Sequence, residues 1–154
     1  MRATMLLCDH VQVADGKLFI NGGGWSVTGP SPVPHGVAVL LGVPWDRTNA
    51  RISFRLALAD ADGRAVGDPP IEVAGEFEVG RPPGMPPGTP LDVPLAFNFP
   101  PLPLSPGRRY VWTLVVDGET QEDWQVGFLT RTAGTALPAS PPGPTDIGLP
   151  PGLG

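Results

Sequence analysis

Several residue types are scarce in this chain, and each scarcity limits its fold and function. Cys8 is the only cysteine, so no intramolecular disulfide can form. The fold must therefore be stabilised by the burial of apolar side chains, which suits a protein of a reducing compartment. Lys17 is the only lysine, a bias that is typical of GC-rich genomes. The formal net charge of -5 argues against the basic surface that a phosphate backbone requires. We therefore expect no nucleic-acid partner.

Long apolar runs are also absent. The N-terminal run that begins at Met5 stops at Asp9, whereas the apolar region of a signal peptide needs about 7–15 residues. No stretch approaches the ~18 apolar residues of a membrane-spanning helix. No long segment free of Gly and Pro has helical spacing of its apolar residues, so we expect little helix. These absences predict no membrane partner and a location in the cytoplasm of the producing cell; a location on a virion is expected only if the chain joins a phage particle.

Proline, in contrast, is abundant and unevenly distributed. Of 22 prolines, ten lie between Gly80 and Gly107, and six lie between Pro138 and Gly154. Short segments of alternating apolar and polar residues fill the rest of the chain, at spacings of roughly ten residues with turn signals between them. This pattern predicts one all-β domain, an antiparallel β-sandwich of seven to nine strands over residues 1–132, with a Pro-rich internal loop. Residues 133–154 form an extended Pro/Gly-rich tail in this prediction.

The strands themselves can be placed from their alternation. We expect a first strand over Ala3–Val13, a turn at Asp15-Gly16 and a hairpin partner over Leu18–Asn21. Val37–Val43 is almost continuously apolar, which predicts a central or fully buried strand. Further strands are predicted at Ile52–Leu58, Ile71–Val79, Leu91–Phe99, Tyr110–Val116 and Trp124–Phe128. Because Pro94 lacks a backbone N–H donor, we expect its strand to lie at a sheet edge or to contain a bulge.

Cys8 and His10 are the residues that most resemble a reactive site. On one strand they would share a face, where a thiolate and an imidazole could hold a metal or form a nucleophile and base. A structural zinc site needs four ligands, however, and His35 is the only other histidine. A catalytic pair also needs an orienting group and an oxyanion site. We expect a buried thiol, and no catalytic residues, metal or cofactor.

Three other motifs have simple structural interpretations. The Gly22–Gly24 run lacks the helix and lysine of a phosphate loop and is expected to break a strand. Asp60 and Asp62 lack the later ligands of a calcium loop and are expected to form a hairpin turn. Glu72, Glu76 and Glu78 alternate on one strand and are expected to be solvent-exposed edge charges.

Aromatic and proline residues are the candidates for partner binding. Trp112 and Trp124 share the inward register of their strands and are expected in the core. Trp25 and Trp45 adjoin glycine and proline breaks, so we expect partial exposure and a contact with a partner. The remaining candidates lie in the internal loop and the tail: Pro83, Met85, Pro87, Leu137, Ile147, Leu149 and Leu153.

The loop Gly80–Pro90 is expected to run as a stiff, polyproline-like arm. It is either a solvent-exposed linker or an arm that lies on a neighbouring subunit. The tail Leu137–Gly154 carries one charged side chain, Asp146, and would be disordered if free in water. A tail of this composition suits a chain embedded in a larger assembly, because a stiff backbone limits the entropic cost of ordering.

Two segments carry a family resemblance. Leu6–Asp9 with Asp15–Trp25, and the closing hairpin around Val115–Glu119, resemble a family of uncharacterised β-sandwich proteins from high-GC Gram-positive bacteria and their phages. The resemblance covers about residues 3–130 and excludes the tail. It implies an immunoglobulin-like fold and brings no known catalytic residues.

We expect a non-enzymatic structural or interaction protein. The first hypothesis is an accessory or decorating component of a larger assembly, such as a phage particle, whose Pro-rich arms contact protein neighbours or copies of itself. The second is a free ligand- or protein-binding module of a bacterium that uses Trp25 and Trp45. The third is an enzyme of unfamiliar type around Cys8 and His10.

Overall fold

Ten β-strands make up most of the residues that the structure describes. A computed structural model describes residues 1–134, and within them only one short 3₁₀ turn, Trp45–Arg47, accompanies the strands. None of these residues belongs to a helix with the length and hydropathy needed to cross a bilayer. The strands are β1 (Arg2–Cys8), β2 (His10–Ala14), β3 (Lys17–Asn21), β4 (Val27–Thr28), β5 (His35–Val43), β6 (Arg51–Asp60), β7 (Glu72–Glu78), β8 (Leu91–Phe99), β9 (Arg109–Val116) and β10 (Gln125–Thr130).

The strands form two sheets and a separate hairpin. One sheet has the order β1-β5-β8, the other has the order β4-β10-β9-β6-β7, and β2 pairs with β3. All pairs are antiparallel except β4 with β10. Both sheets contribute to one apolar core, whose largest fully buried side chains include Leu7, Leu41, Ile52, Leu56, Leu58, Trp112, Leu114 and Trp124. The all-β prediction and the buried positions of Trp112 and Trp124 are therefore confirmed.

The three-stranded sheet explains two features of the sequence pattern. β5 is almost continuously apolar after His35 because it is the central strand, and every residue of it except Leu40 is buried. β8 lies at the sheet edge, opposite β5, with Pro94 paired to Leu40. A proline at an edge leaves no ladder hydrogen bond unmade, so the edge prediction for this strand is confirmed.

The predicted first strand is divided in two, and this division raises the strand count above the predicted range. β1 ends at Cys8, and Asp9 then redirects the chain, its backbone N–H donating to the carbonyl of Asn21 at 3.0 Å. β2 and β3 form the predicted hairpin, and its turn residues Asp15 and Gly16 both have positive φ, of 50° and 67°. This is the backbone of a type I′ turn.

The β2–β3 hairpin lies on the outer face of the three-stranded sheet. The carboxamide of Asn98 on β8 makes two hydrogen bonds to the backbone of Val11: its Oδ1 accepts from the N–H at 3.0 Å and its Nδ2 donates to the carbonyl at 2.7 Å. Beneath the hairpin, Val11 packs with Cys8 and Ala38 in a second, smaller apolar cluster. The hairpin therefore forms a partial third layer that the sequence pattern did not predict.

The molecule has two ends, defined by the two ends of β5. A nine-residue strand spans about 30 Å. The end at the first residue of β5 (the His35 end) includes loops 22–34, 60–71 and 100–108. The opposite end (the Trp45 end) includes loops 44–50, 79–90 and 117–124. β10 finishes at Thr130, just before the predicted boundary at 132, and most of the predicted tail lies beyond residue 134, outside the described residues.

Candidate interaction surfaces

Trp45 and the Pro-rich loop meet at the Trp45 end. The guanidinium carbon of Arg81 lies 4.1 Å from the centroid of the Trp45 ring, in a cation–π contact. The same guanidinium donates from Nε to Thr48 Oγ1 at 2.6 Å and from Nη2 to the Trp45 carbonyl at 2.9 Å. Arg81 therefore ties the first residues of the loop to the 3₁₀ turn that presents Trp45.

The loop itself is folded into turns, so the prediction of an extended arm is wrong. Pro82 and Pro86 each accept a hydrogen bond from the residue three positions later, Met85 N–H and Thr89 N–H, at 3.3 Å. Gly84 and Gly88 have positive φ, of 83° and 88°. Proline at the second position and glycine at the third are the sequence pattern of a type II turn. Two consecutive Pro-Pro-Gly units thus reverse the chain twice.

These turns present the predicted loop residues to solvent. Pro83 and Pro87 are exposed, and Met85 between them is partly buried, as is Trp45. We call Trp45, Arg81, Pro83, Met85 and Pro87 the Trp45 surface. The structure therefore places one predicted tryptophan and all three predicted residues of the internal loop at the same end of the molecule.

Trp25 lies at the opposite end and contacts the core. It makes edge-to-face ring contacts with His35 and Phe128, with ring centroids 5.8 Å apart in both cases. It is half-buried as predicted, and its Nε1 is buried without a hydrogen-bond partner. Since Trp25 and Trp45 are separated by the length of β5, they do not form one binding surface.

A narrow apolar slot opens beside Trp25. We call it the Trp25 slot, and its side walls are formed by Trp25, Pro30, Pro32, Val33, Leu104 and Phe128. Thr28, His35 and Thr130 complete the lining. Val33 is 49% exposed at this site, an unusual position for a large apolar side chain in a loop. The slot combines aromatic, proline and aliphatic surfaces.

His35 joins the two sheets at this end. Its Nε2 accepts a hydrogen bond from Trp112 Nε1–H at 3.1 Å, and the residue is 3% exposed. Burial lowers the pKa of His35, although a hydrogen bond with the Val33 backbone opposes that shift. The ring of Trp112 also stacks on Phe99, with centroids 4.3 Å apart. The imidazole is therefore a neutral acceptor inside an aromatic cluster.

Cys8 and His10 do not form a pair. Because the chain turns at Asp9, Cys8 is fully buried under the hairpin, whereas His10 is exposed. Burial, and then the charge of Asp9, raise the pKa of the Cys8 thiol, which disfavours the reactive thiolate. Among residues 1–134, no three His, Cys, Asp or Glu side chains are arranged to hold a metal ion.

The acidic motifs have structural partners. Asp60 Oδ1 accepts from the backbone N–H groups of Asp62 and Arg64, both at 2.9 Å, which fixes the predicted hairpin turn. On β7, Glu72 pairs with Arg55 at 3.2 Å, and Glu76 pairs with Arg51 at 3.4 Å. These cross-strand ion pairs lie at the exposed edge of the five-stranded sheet. The glutamates are thus exposed edge charges, as expected.

A third surface was not predicted from the sequence. On the hairpin, Val13, Phe19 and Ile20 are exposed by 44%, 49% and 38%. Leu6 and Leu40 are each 36% exposed on the outer face of the adjacent sheet. We call these five residues the hairpin surface; Val13 and Ile20 lie on the hairpin face that turns toward the sheet, and Phe19 lies on the opposite face. Its sequence signal is the run Leu18-Phe19-Ile20: on a strand whose side chains alternate between faces, three consecutive apolar residues cannot all point inward.

The predicted tail contacts cannot be placed on these surfaces. Leu137, Ile147, Leu149 and Leu153 lie outside the described residues. The structure therefore describes five of the nine partner-binding residues predicted from the sequence, four at the Trp45 end and Trp25 at the His35 end.

Comparison with known proteins gives a family and no relative of known function. A family model described as a family of unknown function (DUF6941) matches residues 3–127, from β1 into β10. No curated protein and no solved structure matches the chain.

Proposed function

This chain belongs to DUF6941, a family of unknown function, and we propose that it is a non-enzymatic accessory or decorating component of a larger protein assembly, such as a phage particle. In this proposal the chain is made in the cytoplasm of a high-GC Gram-positive bacterium and then joins the assembly. Its two sheets form an immunoglobulin-like sandwich, a scaffold that presents loops and outer faces to partners. The shared core of the two sheets supports this fold.

The hairpin surface is the observation that carries the proposal. Gly23 lies between Leu6 and Ile20, so that a Cβ at this position would be 3.0 Å from Leu6 Cδ2 and 2.9 Å from Ile20 Cγ2. Leu40 is a diagonal neighbour of Leu6 across the β1–β5 pair. Leu6, Ile20 and Leu40 thus lie near one another, and exposed apolar side chains that adjoin one another are costly to leave in water and mark interaction sites. Phe19 points to the opposite, outer face of the hairpin, and as the largest exposed apolar side chain there it is the natural anchor for a partner's pocket.

The Trp45 surface supplies a second contact. Two hydrogen-bonded turns and the Arg81 clamp hold Pro83 and Pro87 in one conformation. A surface that is already ordered loses little conformational entropy when it binds, so more of its contact energy appears as affinity. The proposal therefore assigns neighbour contacts to a rigid loop at one end and to an apolar hairpin near the other.

Gradient sedimentation tests the proposal directly. The full chain is produced in its own host, with any resident phage induced, and lysates are separated on a sucrose gradient. We expect the chain in fast-sedimenting fractions, and we expect Phe19→Ser to move it to the position of the free protein. Gln12→Ser is the matched control, because Gln12 is the direct cross-strand neighbour of Phe19. A wild-type chain that always sediments as a free monomer would refute the proposal.

A second candidate function is a free ligand-binding module of a bacterium. The observation that favours it is the Trp25 slot, which is lined by aromatic, proline and aliphatic side chains. Small-molecule binding there would change the fluorescence of Trp25, and the change would disappear in Trp25→Phe. Such a result, together with monomeric sedimentation, would favour this function over the first.

A further inference from the structure

The five-stranded sheet has an outer face that is uncharged at its centre. Every second residue of β9, from Tyr110 to Val116, is buried in the core, so the residues between them point outward. On β6, the residues on either side of the buried Leu58 point outward for the same reason. We call the central outward residues the β9–β6 face: Ala57, Ala59, Val111, Thr113 and Val115. All five are half-buried.

The sequence of β9 is that of a strand covered on both faces. It has no charged residue from Tyr110 to Val116, just as β5 has none from Val37 to Val43, and both are central strands of their sheets. Strands that are buried on both faces show such continuous runs. The β2–β3 hairpin covers part of the outer face beside β5, whereas no other strand of residues 1–134 packs over β9 and β6. The β9–β6 face therefore lacks a covering layer within the described residues.

Opposite charges flank this face. On one side, β7 carries three glutamates, and Glu72 is exposed although it pairs with Arg55. On the other side, the guanidinium of Arg109 lies over β10, because a Cβ at Gly127 would be 3.2 Å from Arg109 Nη2. Arg109 has no carboxylate partner among residues 1–134. A face that is acidic on one side and basic on the other is complementary to a second copy of itself.

We propose that the β9–β6 face binds the same face of a second copy and forms a two-fold symmetric dimer. A two-fold axis that runs parallel to the strands, between β9 and β6, exchanges β9 with β6 and β10 with β7. Val111 and Thr113 of one copy then lie opposite Ala59 and Ala57 of the other. Larger side chains thus meet smaller ones, which lets two sheets pack closely.

The same axis brings the charged sides together. Because the guanidinium of Arg109 lies over β10, the axis places it opposite β7 of the other copy. Glu72 is one row of cross-strand pairs further along that strand, within the reach of two long side chains. The dimer therefore contains two Arg109–Glu72 pairs between the copies, one on each side of the axis.

The size of the contact is that of a weak dimer. Four strands about 4.8 Å apart, with the eight-residue length of β9, cover about 500 Å² in each copy, or about 1,000 Å² in both. This area is near the lower limit for a specific interface. We expect a dissociation constant on the order of 10–100 μM.

Sedimentation equilibrium of the purified full chain, from about 1 μM to about 500 μM, tests the dimer. Thr113→Arg places two like charges near the axis and should raise the dissociation constant at least about tenfold. Thr4→Arg is the matched control, because Thr4 is an exposed strand residue on the outer face of the other sheet. It should leave the dissociation constant unchanged.

A pair of charge reversals tests the two-fold arrangement itself. Arg109→Glu and Glu72→Arg should each weaken the dimer about tenfold or more, since like charges then meet twice. An equimolar mixture of the two variants should form a heterodimer, because both pairs between the copies again join opposite charges. Arg109 and Glu72 are both exposed, so we expect each variant to fold.

Three results would overturn the proposal. A wild-type chain that stays monomeric at about 500 μM would leave the β9–β6 face to a different protein. A dimer lost in Thr4→Arg and kept in Thr113→Arg would place the contact on the three-stranded sheet. Charge variants that stay monomeric when mixed would rule out the two-fold arrangement. The gradient experiment with Phe19→Ser concerns another surface, so this dimer and the assembly function can fail separately.

Discussion

The two ends of the molecule use a loop tryptophan in different ways. At the His35 end, Trp25 contacts His35 and Phe128 and so extends the aromatic core outward. At the Trp45 end, the tryptophan contacts a surface arginine that holds a loop. The local sequence of both residues is similar, since each adjoins a glycine or proline break. Their different roles come from residues that are distant in sequence, His35 and Phe128 for one, and Arg81 for the other.

This difference concerns stability as well as geometry. The aromatic cluster at the His35 end links the two sheets, because His35 is on β5 and its partner Trp112 is on β9. The contacts of Arg81 at the Trp45 end connect two loops to each other and do not connect the two sheets. We therefore expect changes at the His35 end to affect global unfolding, and changes at the Trp45 end to affect loop order.

The largest effect is expected for Trp112→Ala. Removing a fully buried tryptophan leaves a cavity, takes away the donor to His35 and should lower the free energy of unfolding by about 3–5 kcal/mol. Trp45→Ala is the control at the other end and should cost about 1 kcal/mol, the size of an exposed cation–π contact. Urea denaturation of both variants measures the difference. Equal losses of unfolding free energy in Trp112→Ala and Trp45→Ala would contradict the proposed difference in stability between the two ends.

An intermediate effect is expected from pH. The pKa of His35 is lowered on folding, so between its folded and unfolded values the unfolded chain binds more protons. The free energy of unfolding should hold above about pH 6.5 and fall below it, by up to about 1.4 kcal/mol per pH unit.

Two histidine variants test the source of this pH dependence. His35→Phe should flatten the fall between pH 6.5 and 5, because it removes the titrating group. Exposed His10→Gln should retain the fall. If His35→Phe keeps the same slope as the wild type, the aromatic cluster is not the origin of the acid sensitivity.

The smallest effect is expected in the Pro-rich loop. Gly84→Ala forces a side chain to adopt a φ of 83° and should cost about 1 kcal/mol locally, with faster hydrogen exchange at Met85. Gly80→Ala is the control: a Cβ there also meets no atom within 4 Å, but no positive φ is required. Proteolysis of the loop should increase for Gly84→Ala alone. Equal behaviour of both variants would contradict the turned conformation.

The sequence patterns predicted the sheet strands better than the connections between them. Period-two alternation located β6, β7, β9 and β10, and the continuous apolar run of β5 correctly indicated a central strand. The break at Asp9 was missed because alternation continues through it. Its cause lies elsewhere in the chain, in the contacts of Asn98 with Val11 and of Asn21 with Asp9, and such long-range pairs leave no local signal.

The candidate surfaces were predictable only in part. Proline content identified the loop at Gly80–Pro90 and predicted an extended arm. The order of the residues was the better guide to its conformation, because each Pro-Pro-Gly unit specifies a turn. The contact of Arg81 with Trp45 could not be predicted from local sequence, because the two residues are 36 positions apart. The hairpin surface had a local signal in Leu18–Ile20, because the middle residue of three consecutive apolar residues on a strand points to the opposite face from its neighbours.

The attachment of the hairpin by Asn98 has a chemical consequence for Cys8. One carboxamide acts as a short extra strand, so the hairpin can open locally while both sheets stay intact, and this opening exposes the apolar cluster of Cys8, Val11 and Ala38. The only thiol of the chain lies directly beneath it. The rate at which Cys8 is alkylated in the native protein would therefore report how often the hairpin layer opens.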